Sequence, residues 1–101
     1  MQTFVMVTRV SPDALRAPKS LEDSEKRAME KVRKECKVEW IQNLATLGPY
    51  DYVDVFQAPD TNEAFKVAAL IRSFGHANTE IWPATEWQHF KEMVRDMPTS
   101  T

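Results

Sequence analysis

An α+β fold built on one antiparallel sheet is predicted for this chain from three observations. Runs of period-two apolar residues alternate with runs of helical period in the order βαββαβα. The two middle strands are separated by a short turn, Gly48-Pro49-Tyr50-Asp51, which makes them a hairpin. No repeat, linker or low-complexity segment divides the 101 residues, so one core is expected over residues 1–97, with 98–101 as a loose tail. A βαββαβ run of this length is the ferredoxin-like split βαβ, in which right-handed crossovers put both main helices on one side of a four-stranded antiparallel sheet. A C-terminal helix completes the order.

The first strand is Thr3 to Val10, rich in β-branched and aromatic residues, and Ser11-Pro12 then offers a helix-starting pair. Pro18 interrupts the segment after it. Ser20 with Asp23 resembles a capping pair, and Leu21, Ala28, Val32 and Cys36 recur at helical spacing through Glu35. Val38 to Leu47 returns to extended character, and Tyr52 to Ala58 alternates cleanly. Asp60 with Glu63 forms a capping box for a second helix lined by Ala64, Val67, Ala68, Ile71 and Phe74, which Gly75 stops. Asn78 to Trp82 is the fourth strand and Pro83 closes it. Thr85 with Gln88 opens the last helix, whose Trp87, Phe90, Val94 and Met97 form an apolar stripe.

Composition excludes several classes of function. Thirteen Lys plus Arg stand against 15 Asp plus Glu, a net charge of -2, so phosphate backbones are not attracted to the molecule as a whole. The most basic stretch, Lys19 to Lys37, interleaves acids with its cations as a solvated helix face does, and nucleic-acid binding is not expected. No apolar run approaches the ~20 residues of a spanning helix, and no membrane role is expected. A lone Cys36 forms no internal disulfide, and no secretory leader pattern is visible, so a cytoplasmic protein is expected.

One side of such a sheet lies bare in a monomer. The aliphatic parity, Val53, Val55 and Ile81, suits the helices. That leaves Trp40, Gln42, Tyr52, Asp54, Phe56, Glu80 and Trp82 for the bare side, with the parity of the first strand open. An aromatic face of that size exceeds the patch a monomer tolerates, and a second copy is the expected cover. Carboxylates and an amide among aromatics call for water, a cation such as Arg9, or a ligand, so these seven residues are the expected lining of a small-molecule cavity.

From Thr46 to Val53 (TLGPYDYV) the chain resembles the GYD domain family. The likeness extends through Ala58-Pro59-Asp60, through Gly75 with Asn78-Thr79-Glu80, and through the Thr85, Trp87, Phe90 tail. The resemblance implies a dimeric α/β barrel, in which two ferredoxin-like sheets close on each other, and no established activity.

Candidate chemistry is sparse. Tyr50 and Asp51 could act as an acid–base pair, but their spacing also describes a turn in which Gly48 lends freedom and Asp51 bonds backbone amides. His76 is a candidate base, as are Asp54 and Glu80. His76 and His89 lie 13 positions apart with no partner at metal-ligand spacing, so no metal is expected. Without GxGxxG, P-loop or GxSxG, no cofactor is expected. The expected function is therefore a small homodimer that binds a compact, partly aromatic molecule. The alternatives are a cofactor-independent monooxygenase or isomerase, and a structural partner domain.

Overall fold

The computed structural model describes residues 1–12, 18–74 and 77–98. Its elements are β1 (Gln2–Val10), α1 (Pro18–Glu35), β2 (Glu39–Ala45), β3 (Tyr52–Ala58), α2 (Thr61–Ser73), β4 (Ala77–Ala84) and α3 (Trp87–Arg95). The sheet order is β2-β3-β1-β4, antiparallel at each pairing. This is the ferredoxin-like arrangement expected from the order of elements. No helix among the described residues is long and apolar enough to cross a membrane.

The core lies between the sheet and the two main helices, and the size of the side chains decides which sheet face it uses. Most of what the helices bury is small: Ala28, Val32 and the following Cys36 from α1, and Ala64, Val67 and Ala68 from α2, with the larger Met29 and Ile71 beside the cavity described below. Small knobs on one layer require large ones on the other to reach the density of a protein interior. The sheet supplies Phe4 and Met6 from β1, Phe56 from β3 and half-buried Trp40 from β2. The Phe56 ring stacks on both neighbours, with centroids 5.5 Å from Phe4 and 4.8 Å from Trp40. Three strands are thus tied by one aromatic row.

This reverses the expected orientation of β3. Tyr52, Asp54 and Phe56 face the helices, while Val53 and Val55 join Val5 and Val7 on the open side. Ile81, paired with Met6, keeps its expected place against the core. Trp40 and Gln42, expected on one face, are separated by a β-bulge: Trp40 pairs with Phe56 but Gln42 pairs with Val55. The extra residue, Ile41, flips the parity of everything after it, so Gln42 and Leu44 lie on the open face. In β1 the parity left open resolves as Phe4, Met6, Thr8 and Val10 inward.

Element ends differ in instructive ways. The chain is already helical at Pro18, so Ser20 sits within α1 and not at its N-cap. Pro83 does not close β4, which runs on to Ala84 with Pro83 opposite Phe4. β4 is an edge strand, where a missing N–H costs no ladder bond. Asp60 caps α2 by accepting from the Glu63 N–H at 3.1 Å. The Glu63 carboxylate does not complete the box; it accepts from the Lys37 N–H at 2.8 Å and pairs with Lys66 at 2.9 Å, pinning the end of α1 to α2. Gly75, the expected stop of α2, lies outside the described residues. α3 has Glu86 rather than Thr85 at its N-cap, with no side-chain bond, and none of its residues is buried.

Replacing Val32, fully buried between α1 and the sheet, by alanine is expected to cost about 2 kcal/mol. Val55→Ala, half-exposed on the open side of a single chain, is expected to cost less than about 1 kcal/mol. Urea titrations of the two variants as monomers check the assignment of faces, and equal losses would contradict it.

Candidate functional site

The seven residues expected to share one cavity are divided between two faces. Gln42, Glu80 and Trp82 lie on the open face; Trp40, Tyr52, Asp54 and Phe56 lie on the helix side. Phe56 is wholly buried in the aromatic row and lines no space. His76 lies outside the described residues.

On the helix side a cavity of about 340 Å³ opens between α1, the end of α2 and the floor of the sheet. Its floor holds Met6, Thr8, Val10, Asn43, Tyr52 and Asp54, and its roof Leu21, Glu25, Met29, Ile71 and Phe74. The size falls in the range of small-molecule sites. Ser24 and Ala28 of α1, both small, leave room for it.

Asp54 is 3 % exposed on this floor. Its Oδ1 accepts from the Trp40 indole Nε1 at 3.2 Å. Burial lifts its carboxyl from the ordinary value to about 6, with the Glu25 charge adding to the rise, and the hydrogen bonds from Trp40 and Asn43 oppose it. Tyr52 is likewise pushed up, by burial first and then by the charges of Asp51, Glu25 and Asp54, and stays protonated at neutral pH. Beside them Thr79 donates its hydroxyl to the Val7 carbonyl at 3.1 Å, which leaves Thr8 to donate to Thr79 and to turn its lone pairs elsewhere.

On the open face a second polar group forms at the β4 side. The Tyr50 hydroxyl donates to Glu80 Oε2 at 2.7 Å, and the Trp82 indole donates to Glu80 Oε1 at 3.3 Å. The Arg9 guanidinium lies 5.4 Å from the Tyr50 ring centroid, and its Nε donates to the Pro49 carbonyl at 2.9 Å. These bonds lower the Glu80 carboxyl and raise the Tyr50 hydroxyl, so each keeps its ordinary protonation state at neutral pH.

Tyr50 and Asp51 do not act on one another. Where the chain leaves the β1–β3 ladder at Tyr52, the Asp51 N–H donates to the Thr8 carbonyl and Asp51 Oδ2 accepts from the Val10 N–H, both at 2.8 Å. The carboxylate replaces the main-chain acceptor that the turn carries away. Thr46 closes the loop, donating its hydroxyl to the Tyr50 carbonyl at 2.6 Å and its N–H to the Asp51 carbonyl at 2.9 Å. The Gly48-Pro49-Tyr50-Asp51 turn is thus clasped to the end of β1. The GYD domain profile matches residues 4–94, from β1 to α3.

The chain belongs to the GYD domain family. No curated protein and no solved structure matches it at a significant level. The geometry gives the Tyr50 and Asp51 of this GYD domain anchoring roles, but it asks nothing special of Gly48. A Cβ there meets no atom within 4 Å, and its φ lies outside the left-handed region. Among the described residues no three His, Cys, Asp or Glu side chains come together as a metal site.

Sequence reading missed Thr8, Asn43, Glu25 and Met29 of the cavity. The signal for Thr8 was its shared parity with Phe4 and Met6, and that for Glu25 and Met29 their i, i+4 spacing on α1.

Two outcomes are expected from this geometry. Asp51→Ala strands the Val10 N–H and is expected to cost about 1–3 kcal/mol, whereas Gly48→Ala is expected to change stability by less than about 1 kcal/mol in either direction, as denaturant titration will show. The second concerns pH. Because folding raises the Asp54 carboxyl, the folded chain holds that proton more tightly than the unfolded one, and its contribution to stability fades as pH rises towards and through about 6. Asp54→Asn is therefore expected to gain roughly 2 kcal/mol relative to the parent between about pH 4 and about pH 7.5. A stability difference that stays flat across that window would contradict the burial of the charge.

Proposed function

We propose that this GYD domain is a homodimeric small-molecule-binding protein. In this reading a second copy covers the aliphatic side of the sheet, and a compact, partly aromatic ligand occupies the cavity on the helix side. The observation that carries the binding role is the cavity itself: about 340 Å³ of largely apolar-walled space between α1 and the sheet, open on one side, with a nearly buried carboxylate on its floor. The lone Cys36, buried beside the core, suits a reducing compartment such as the cytoplasm.

The case for a second copy comes from what one chain leaves uncovered. Val5, Val53 and Val55 are half-buried, and Leu44 and Trp82 are more exposed still, on one contiguous sheet face. α3 carries Trp87, Phe90, Val94 and, just beyond it, Met97, all exposed, with Trp87 stacked on Phe90. The chain measures 55 × 30 × 18 Å with a radius of gyration of 16.1 Å, against about 13 Å for a compact chain of this length. Its surface of 7392 Å² likewise exceeds the ~5,900 Å² expected for its mass. An aliphatic sheet face and an apolar helix arm are surfaces a twofold pair can bury together.

Sedimentation velocity at micromolar concentration is expected to give a dimer, and Val55→Glu, at the middle of the open face, a folded monomer. A monomeric parent, or a dimer that tolerates Val55→Glu, would refute the assigned interface. For the cavity, Leu21→Trp on the roof is expected to abolish ligand binding while leaving the dimer intact.

A second reading, an isomerase without cofactor, is favoured by the carboxyl of Asp54, which titrates near neutrality in an apolar cavity beside Tyr52. It requires that bound ligand exchange a carbon-bound hydrogen for deuterium in heavy water and that Asp54→Asn stop the exchange. Binding without exchange leaves the carrier reading alone.

A further inference from the structure

The polar atoms around the helix-side cavity are biased in one direction. Asp54, Glu22 and Glu25 line it, and among the described residues no Lys, Arg or His does. The Glu25 charge acts on Asp54, and both act on Tyr52, so their fields converge on the same space. Thr8 spends its hydroxyl hydrogen on Thr79 and offers only lone pairs. The Asn43 amide, also on the floor, stabilises the Asp54 carboxylate by hydrogen bonding. The site carries negative charge and no cation among the described residues, has the Ser24 and Tyr52 hydroxyls as neutral polar groups, and is otherwise walled by Met6, Met29, Ile71 and Phe74.

Resting on the cavity reading above, we propose that the ligand is an organic cation: a protonated amine on a compact apolar or aromatic body. The ammonium is met by Asp54 and Glu25 and hydrogen-bonds to acceptors of the floor, while the body fills the space between Met29, Ile71 and Phe74. Charge-assisted bonds favour such a ligand, and an anion of the same shape meets like charge from Asp54 on the floor and Glu25 on the roof. The cation also offsets the cost of keeping Asp54 ionised where water is scarce.

Three probes of nearly equal shape separate the class of ligand from the existence of the site: tryptamine, the corresponding alcohol tryptophol, and indole-3-acetate. Calorimetric titration of the intact protein is expected to rank them in that order, with tryptamine at least about tenfold tighter than tryptophol. Asp54→Asn and Glu25→Gln are each expected to reduce the preference for tryptamine severalfold and to leave tryptophol binding unchanged. Glu25 is exposed on α1, so its variant raises no question of folding. Equal binding of amine and alcohol, or tighter binding of the acid, overturns the amine proposal and leaves the cavity reading standing. If none of the three binds, while Leu21→Trp makes no difference, the cavity reading falls as well.

Discussion

The Phe4–Phe56–Trp40 row is the constraint on which the other features depend. Phe56 sits on β3 between two neighbours, and its stacking on both fixes which way three of the four strands face. Once Phe56 points at the helices, the period of two sends Asp54 and Tyr52 the same way and sends Val53 and Val55 to the other side. Slipping β3 by one residue would place valines against Ala28, Ala64 and Ala68, and a layer of small residues facing small residues cannot fill the space between sheet and helices. The row is therefore the reason both for the cavity's acidic floor and for the aliphatic open face.

The bulge at Ile41 serves the same constraint. Without it, Trp40 and Gln42 would share a side, and β2 could not deliver an indole to Phe56 while presenting Gln42 and Leu44 opposite Val55 and Val53. Trp40 does more than pack: its Nε1 reaches Asp54, so the residue that ends the aromatic row also satisfies the buried carboxylate next to it. Core packing and site chemistry meet in one side chain. The carboxyl of Asp54 is held to a moderate rise because that indole and the Asn43 amide stabilise the ion that burial disfavours.

The order of elements, the sheet and the two helices were legible in the sequence because each rests on local period and capping. Asp60 with Glu63, and Ala64, Val67, Ala68 and Ile71, carry their own geometry. The face of the sheet was not legible from β3 alone, since Tyr52-Val53-Asp54-Val55-Phe56 is apolar on both parities. The sizes on the facing helices held the missing information: a run of Ala, Val and Cys across from the sheet calls for aromatics, a relation between distant elements that strand period does not express. The bulge was invisible because nothing in Trp40-Ile41-Gln42 marks an extra residue; only the pairing with β3 does. Tyr50 and Asp51 were legible as a turn, and their bonds to Glu80 and to Val10 arise from where the fold brings β1 and β4.

The two sides of the sheet invite different kinds of contact, and that division is itself informative. The open side is aliphatic over β1 and β3 and keeps its polar group, Arg9, Tyr50, Glu80 and Trp82, at the β4 edge, where each member is already bonded within the chain. A face so arranged has the apolar centre and polar margin that suit another protein surface. The helix side is the reverse, a concave space with acidic groups, Asp54 and Glu25, among apolar walls. The thickness of one sheet separates the two, so the space beneath α1 and the valine face are reached from opposite sides. Met6, Thr8, Tyr52 and Asp54 on one side and Val5, Val7, Val53 and Val55 on the other alternate along the same two strands. The Asp51 clasp on Thr8 and Val10 holds the end of β1 to the turn that leads into β3, between the two faces.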